Sequence, residues 1–359
     1  MPLLPNTLPL ENLLIKVVDV VANCIGAVGS PLISNWAKVS GSKAEMKALR
    51  IRARGIIQLK AEIREIREGR KAVTEDFKLI EIFRSEAEQA DHELAQTKED
   101  LLGYLQASGI NVQNLVEVER QLNLLQIGIQ AIEQSSEEGD ATKENKPIDD
   151  DWMAQWRNRA QDVSNQDMQQ LWAKVLKEET KSAGQFSIHT LDLLSRMSRK
   201  DAELIERLGP FVLNNAFVSA SASDFITDDR LTIDELLFLQ DLKILNSVGA
   251  LHGTIQTYIG RRQTNQAQHI FILTNYDKCL LFVPKNENPE RLAFASYPLT
   301  RIGREILSLA SCKGDSDYLR IVANEGRAQN IKEIFVCDLV KSGDTLSWSN
   351  GETIWKSDQ

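Results

Sequence analysis

The chain opens with an apolar segment that carries a narrow polar stripe. Between Asn12 and Val28, polar residues recur at steps of four, three and four, at Asn12, Lys16, Asp19 and Asn23. On an α-helix these positions lie on one side, and all the other positions are apolar. The pattern therefore predicts an amphipathic helix that ends at Gly29-Ser30-Pro31.

The length and charge of this helix limit its surroundings. A helix that spans a bilayer needs about 20 mostly apolar residues, and this segment is shorter and contains Lys16 and Asp19. A spanning role is therefore disfavoured, and the helix either packs in the core of the protein, lies in a membrane interface or joins an oligomer. The residues that we expect to carry insertion or assembly are Leu14, Val17, Val21, Ile25, Gly26 and Gly29.

A longer helical pattern follows, from about residue 42 to residue 70. Its apolar residues recur at steps of three and four, as a packing seam requires; they are Leu49, Ala53, Ile56, Leu59, Ile63 and Ile66. No acidic residue occurs between positions 50 and 60. An apolar helix beside a basic segment is typical of peripheral membrane binding. We therefore expect a basic arm that faces anionic lipid or an acidic partner through Arg50, Arg52, Arg54 and Lys60.

Helical periodicity continues from Val73 to about Leu105 and from Val112 to Ile132. The segment from Glu133 to Asp151 then contains eight acidic and two basic residues, with Ile148 as its one large apolar residue. This composition cannot form a core. We interpret the segment as a linker and as the main domain boundary.

Beyond the linker, the pattern predicts short helices with clear starting residues. Trp152, Trp156 and Ala160 share one face of the first helix. Further helices are predicted to start at Ser164 and Ser187. A capping sequence that begins at Ser198 predicts another helix, which ends before Gly209-Pro210. Short capped helices with tryptophan anchors favour a compact helical bundle.

The last third of the chain mixes helices with β-rich segments. Thr232 and Glu235 form a capping box for a helix through Leu239. Strands are then predicted at Thr254–Ile259, His269–Leu273, Leu280–Val283 and Arg291–Ala295, before a helix at Leu299–Ala310. This order is similar to a winged helix. The tail, with Leu319–Ala323, Ile331–Val340 and Thr345–Trp348, predicts a small antiparallel sheet.

The sequence thus predicts a mainly α protein with a C-terminal α+β part. Its predicted parts are an apolar N-terminal helix region (1–41), a long helical, coiled-coil-like arm (42–132), an acidic linker (133–150), a helical bundle (151–222), a winged-helix-like module (223–311) and a small β-rich tail (312–359).

The residue types that support catalysis or metal binding do not cluster in the sequence. The four cysteines are scattered and no histidine has a partner at ligand spacing. His189 lies at a predicted helix start, where capping and packing explain it. Asp149-Asp150-Asp151 precedes a helix, where negative charge is favoured, although a divalent ion is the alternative. We expect no enzymatic activity, no cofactor and no metal, and a cytoplasmic location with contact to the inner membrane as an option.

The charge distribution bears on nucleic-acid binding. The net charge is −9, yet residues 43–71 carry ten basic and four acidic side chains. Residues 225–310 carry nine of each, whereas a DNA-reading module has a basic face. Arg261 and Arg262, in a predicted turn, are the one adjacent basic pair there. A protein-binding role for the winged-helix-like module is favoured, and nucleic-acid contact through this pair is the alternative.

Two segments resemble a bacterial family known as domain of unknown function 2806. One is Leu13 to Pro31 with the basic helix behind it, and the other runs from Asp150 to Leu204. The second carries the more specific residues: Trp152, Val163-Ser164, Leu171-Trp172, Leu176, Phe186-Ser187, Thr190-Leu191, Leu194 and Asp201-Ala202. The layout of an apolar helix followed by a basic arm is also similar to abortive-infection alpha proteins, which implies a setting in phage defence.

Three functional hypotheses follow. The first is a non-enzymatic phage-defence or stress protein that self-associates or contacts the inner-membrane surface through its N-terminal helix and binds a protein partner through its C-terminal modules. The second is a nucleic-acid-associated regulator that uses Arg261, Arg262 and the basic arm. The third is an enzyme whose site these patterns do not reveal.

Overall fold

The structure, a computed structural model, divides the chain into two compact units, residues 1–195 and 196–359. It describes residues 43–67, 72–73, 79–80, 114–137, 147–219, 230–249, 254–258, 261–262, 269–285, 292–327, 329–342 and 345–357. The predicted N-terminal helix region, 1–41, lies outside the described residues.

Helices make up most of the described part of the first unit. They are α1 (Lys43–Arg67), α2 (Leu115–Glu137), α3 (Asp150–Ala160), α4 (Gln166–Lys181) and α5 (Ile188–Arg196). α2 is central, because every residue from Leu122 to Ile129 is buried and because α1, α3 and α4 all pack against it. On α1, the predicted seam is confirmed at Ile56, Leu59 and Ile63, which are buried.

Short side chains set the starts of these helices. The Asp149 carboxylate accepts a hydrogen bond from Trp152 N at 2.9 Å, and the Asn165 side chain accepts one from Met168 N at 3.1 Å. Each satisfies a backbone donor that a first helical turn leaves unpaired. The predicted start of α4 at Ser164 was one residue early, since Asn165 is the cap.

The prediction of helix is wrong for one part of the arm. Ala72–Val73 and Leu79–Ile80 form two short antiparallel strands, β1 and β2, where the periodicity predicted helix. Val73 and Ile80 are β-branched, and cross-strand pairing favours such residues.

The second unit combines helices with two antiparallel sheets. Its helices are α6 (Arg199–Leu208), α7 (Ile233–Asp241), α8 (Arg301–Leu307) and α9 (Ser316–Arg327). Its strands are β3 (Phe217–Ser219), β4 (Thr254–Tyr258), β5 (Arg261–Arg262), β6 (His269–Asn275), β7 (Lys278–Pro284), β8 (Leu292–Pro298), β9 (Ile331–Ser342) and β10 (Thr345–Lys356).

The strand order explains where the core of this unit lies. One sheet has the order β10-β9-β7-β6-β5 and the other the order β3-β8-β4. α9 packs against β7, β8 and β9. The fully buried rings of Phe282 on β7 and Phe294 on β8 lie 5.8 Å apart between centroids. The two sheets therefore share one aromatic core under α9.

The predicted mainly α fold with a C-terminal α+β part is confirmed, with one error in the tail. Leu319–Ala323 was predicted as a strand and lies in α9 instead. Asp315 caps this helix by accepting from Tyr318 N at 2.9 Å, and Leu319, Val322 and Ala323 are buried at helical spacing.

Three structural observations lie close to the predicted segment boundaries. β7 and β9 are neighbours in one sheet, with Cys279 opposite Cys337, so the predicted boundary at residues 311 and 312 lies within one core. α2 continues into the acidic segment as far as Glu137. The division between the two units, at Ser195, falls inside the predicted bundle 151–222.

Candidate interaction surfaces

α7 is a short helix with apolar residues on two sides. Its sequence, IDELLFLQD, has five apolar residues among nine. Leu236 and Leu239 are fully buried, whereas Ile233, Leu237 and Phe238 are 43%, 38% and 44% exposed. We call these last three residues the α7 apolar face. One helix face cannot bury all five side chains, so part of this apolar surface meets solvent.

The capping box predicted at Thr232 and Glu235 is confirmed and fixes the start of α7. Glu235 N donates to Thr232 Oγ1 at 3.2 Å, and Thr232 N donates to Glu235 Oε2 at 2.8 Å. Arg207 of α6 also donates to Glu235 Oε1, at 2.6 Å. Burial raises the pKa of Glu235, but the hydrogen bonds from Thr232 and Arg207 outweigh it and hold the pKa below its usual value.

Acidic residues lie among the side chains of the α7 apolar face. Asp234 and Asp241 lie on the same helix and are exposed. At 100° per residue both aspartates lie between Leu237 and Phe238 on the helix circumference, so the exposed side of α7 carries apolar and acidic side chains together. The chemistry that fits it is an apolar segment flanked by Lys or Arg.

The basic arm is only partly a free surface. Arg54 is exposed on α1, and Arg50 and Arg52 belong to the same helix, although their side chains lie outside the described residues. At Lys60 the structure shows a contact within the protein. Its Nζ donates to Gln126 Oε1 of α2 at 3.0 Å, and burial lowers the pKa of Lys60 to about 8. Lys60 therefore belongs to the contact between α1 and α2.

Arg261 and Arg262 were predicted in a turn, and the structure places them in a strand instead. They form β5, which pairs with β6 through Arg261 opposite Ile270 and Arg262 opposite His269. The pair thus lies at one edge of the five-stranded sheet. The predicted assembly residues Leu14, Val17, Val21, Ile25, Gly26 and Gly29 lie outside the described residues.

The catalytic and metal-binding candidates of the sequence that the structure describes lie at helix starts. His189 is exposed at the start of α5, and Asp149 is used as the cap of α3. Within the described ranges, no group of three or more His, Cys, Asp or Glu side chains could hold a metal ion. None of the helices described there is both long enough and apolar enough to cross a membrane.

The α7 apolar face was missed from the sequence, although a signal was present. Five apolar residues in a nine-residue helix are more than one core-facing stripe accommodates. The excess could have been noticed in the sequence, but the residues that stay outside the core become known only when the packing is known.

Comparison with known proteins places the chain in a family. No curated protein and no solved structure matches it. The family described as protein of unknown function (DUF2806) matches residues 109–323, which is more than half of the chain and includes the resemblance seen from Asp150 to Leu204. The chain therefore belongs to the DUF2806 family.

Proposed function

We propose that this protein acts without catalysis, as an adaptor that binds a protein partner through the α7 apolar face. The observation that carries the proposal is the exposure of Ile233, Leu237 and Phe238 on a helix that Thr232, Glu235 and Arg207 hold in place. A helix that is already formed lowers the ordering cost of binding on its own side.

The charge of the surrounding module supports a protein partner over nucleic acid. Residues 225–310 carry equal numbers of basic and acidic side chains. Asp234 and Asp241, which are exposed among the α7 apolar face, repel phosphate and attract basic side chains. Nucleic-acid contact through Arg261 and Arg262 is the alternative proposal.

The N-terminal part of the proposal concerns assembly. The amphipathic segment from Asn12 to Val28 and the acid-free basic stretch behind it favour self-association or contact with the inner-membrane surface. The layout similarity to abortive-infection alpha proteins suggests phage defence as the setting. In that setting, partner binding at α7 would occur on infection and would trigger self-association or membrane contact by the N-terminal segment.

Photo-crosslinking in the bacterium tests the partner proposal. A photoreactive amino acid replaces Phe238 in the full-length protein, and the matched control replaces Asn324, which is exposed on α9. We expect a discrete protein adduct from position 238 and none from position 324. Mass spectrometry of the adduct then identifies the partner, and Asp234→Lys should weaken the adduct if the partner has a basic flank.

The outcome that overturns the proposal is equally specific. If position 238 gives no adduct beyond the Asn324 control, α7 is not the binding surface. If the protein shifts DNA or RNA in a salt-dependent way and Arg261→Ala with Arg262→Ala abolishes the shift, the nucleic-acid alternative replaces it.

A further inference from the structure

Cys279 on β7 and Cys337 on β9 lie directly opposite each other in the five-stranded sheet. Opposite residues of an antiparallel pair have Cα atoms about 4.5 or 5.5 Å apart, and a disulfide usually needs a Cα separation of about 4.4–6.8 Å. The two thiols are also in contact, because the Cys279 thiol donates a hydrogen bond to Cys337 Sγ. The two sulfur atoms can therefore be bonded without a change in the strand register.

Cys337 also lies opposite an irregularity in the neighbouring strand. The register between β9 and β10 shifts at this point, so that Asn350 and Gly351 of β10 both lie opposite Cys337. Asn350 has a φ of 55°. A bulge of this kind interrupts the hydrogen-bond ladder locally. The strand beside Cys337 is thus less firmly paired than the strand on either side of the bulge.

Gly351 leaves Cys337 Sγ close to the surface of the protein. Gly351 is exposed, and a Cβ added to it would lie 3.3 Å from Cys337 Sγ. Cys279 and Cys337 are both buried, at 0% and 3% exposure. Because position 351 has no side chain, a molecule as small as hydrogen peroxide needs only a small movement of the bulge to reach Cys337. Cys279 has no such neighbour in the described part of the chain.

We infer that Cys279 and Cys337 are a reversible redox pair, in which a peroxide oxidises Cys337 and a disulfide to Cys279 follows. The Cys337 thiolate attacks one peroxide oxygen, the O–O bond breaks, and the sulfur becomes a sulfenic acid. The hydroxide that leaves takes the proton that Cys337 released and becomes water. The inference is independent of the α7 apolar face and of the N-terminal helix.

The second step joins the two strands. The Cys279 sulfur attacks the sulfenic sulfur of Cys337, the S–OH bond breaks, and the hydroxide leaves as water with the proton of the Cys279 thiol. Two thiols are thereby oxidised to one disulfide, and one hydrogen peroxide is reduced to two waters. A thiol reductant reverses the reaction by disulfide exchange and is itself oxidised to a disulfide.

The order of the two cysteines follows from their surroundings. Burial raises the pKa of Cys279 to about 12. Burial raises the pKa of Cys337 as well, but the hydrogen bond from Cys279 acts in the opposite direction there. Because the thiolate is the nucleophile, Cys337 reacts first. Both thiols are buried, so the pair responds to sustained exposure rather than to a brief pulse of peroxide.

Peptide mapping of the full-length protein tests the pair. Trypsin cuts after Lys278 and Lys332, so it releases Cys279 and Cys337 on separate peptides. After treatment with hydrogen peroxide and blocking of the remaining thiols, we expect a disulfide between these two peptides that dithiothreitol breaks. Cys279→Ser should stop the reaction at a Cys337 sulfenic acid, which dimedone traps. The inference is overturned if both thiols stay reduced at a peroxide dose that oxidises the same chain in urea.

Thermal unfolding tests whether the disulfide fits the sheet. A bridge between strands that are distant in sequence constrains the unfolded chain, so the oxidised protein should unfold about 5 °C or more above the reduced protein. Cys337→Ser, treated with peroxide in the same way, should show no such rise. An oxidised protein that is no more stable than the reduced one would contradict a disulfide that fits the pairing of β7 with β9.

Gly351→Val tests the route to Cys337. The valine side chain would contact Cys337 Sγ, and we expect disulfide formation to be several-fold slower than in the natural protein. Thr353→Val is the matched control, because Thr353 is exposed on the same strand, and it should react at the natural rate. A folding defect would expose the thiols and speed the reaction, so it cannot imitate the expected result. An unchanged rate in Gly351→Val would overturn the assignment of Cys337 as the cysteine that the peroxide reaches.

Discussion

Lys60 Nζ on α1 donates a hydrogen bond to Gln126 Oε1 on α2 at 3.0 Å. This contact joins the acid-free basic stretch of the arm, residues 50–60, to the central helix of its unit. A lysine beside an amide has no full counter-charge at the contact. Burial consequently lowers the pKa of Lys60 to about 8, although Glu119 acts in the opposite direction.

The lowered pKa of Lys60 predicts a pH-dependent stability. Between pH 8 and about 10.5, the unfolded chain binds more protons at Lys60 than the folded chain does, so this residue's contribution to the free energy of unfolding rises with pH. Lys60→Met lacks this contribution. We therefore expect the stability of Lys60→Met relative to the natural protein to fall as the pH rises through this window.

Urea unfolding at pH 7.5, 9 and 10 measures this difference. Arg54→Met is the matched control, because Arg54 is exposed on the same helix and an arginine stays charged over the range. A difference that is constant with pH for Lys60→Met would show that Lys60 is not held in a desolvated position.

Two buried tryptophans of α3 make a matched pair for testing one hydrogen bond. Trp152 Nε1 donates to Phe186 O at 2.8 Å, whereas the buried Trp156 Nε1 has no hydrogen-bond partner in the structure as described. Trp152→Phe removes the donor and leaves a buried carbonyl unpaired, while Trp156→Phe removes an unsatisfied donor. We expect Trp152→Phe to cost about 1–2 kcal/mol more than Trp156→Phe in chemical unfolding. Equal losses would contradict the assigned hydrogen bond.

Features encoded within a few residues were predictable from the sequence. The capping boxes at Ser198 and Thr232 involve a side chain and a backbone group three residues apart, and both are present. The pairing of Cys279 with Cys337 was not predictable, since it depends on strand partners far apart in the chain. The exposure of the α7 apolar face depends likewise on which neighbours fill the core.

The incorrect prediction of a strand at Leu319–Ala323 has a physical reason, which the position of Gly326 shows. A short run of branched residues resembles a strand, but α9 needs Gly326 to approach β7. A Cβ at position 326 would lie 2.3 Å from Phe282 Cε1, and the Phe282 ring is fully buried. The packing of α9 against the sheet favours helix at Leu319–Ala323. It depends on residues that are distant in sequence, such as Phe282 and Gly326.

Gly326→Ala should therefore destabilise the protein although alanine favours helices. Alanine gains about 1 kcal/mol of helix propensity over glycine, but overpacking against an immobile ring costs about 1–3 kcal/mol. We expect a net loss in thermal or urea unfolding. Asn324→Ala is the control, because Asn324 is exposed on the same helix and the change should be neutral or slightly stabilising. A stabilised Gly326→Ala would show that α9 does not lie so close to β7.

Asn275 is a fully buried amide at the end of β6 that connects three segments of the second unit. Its Nδ2 donates to Pro210 O and to Val212 O, both at 2.8 Å, and its Oδ1 accepts from Asp315 N at 2.8 Å. Asn275→Asp keeps the shape but replaces the donor by a carboxylate oxygen that faces two carbonyls. We expect a loss of about 3 kcal/mol or more at neutral pH.

The pH dependence of this variant separates lost hydrogen bonds from a general packing defect. A carboxyl group at position 275 binds a proton more tightly in the folded chain than in the unfolded chain, because the neutral form donates one hydrogen bond and carries no buried charge. Its folded pKa is raised, so the stability of the variant relative to the natural protein should improve as the pH falls from 7 to 4. Asn246→Asp is the matched control. Asn246 is exposed, and its Oδ1 accepts a hydrogen bond from Ser247 N at 2.9 Å, which a carboxylate oxygen can also accept. That variant should stay within about 0.5 kcal/mol of the natural protein. A loss at position 275 that does not change with pH would mean that the amide donor is not what holds these segments together.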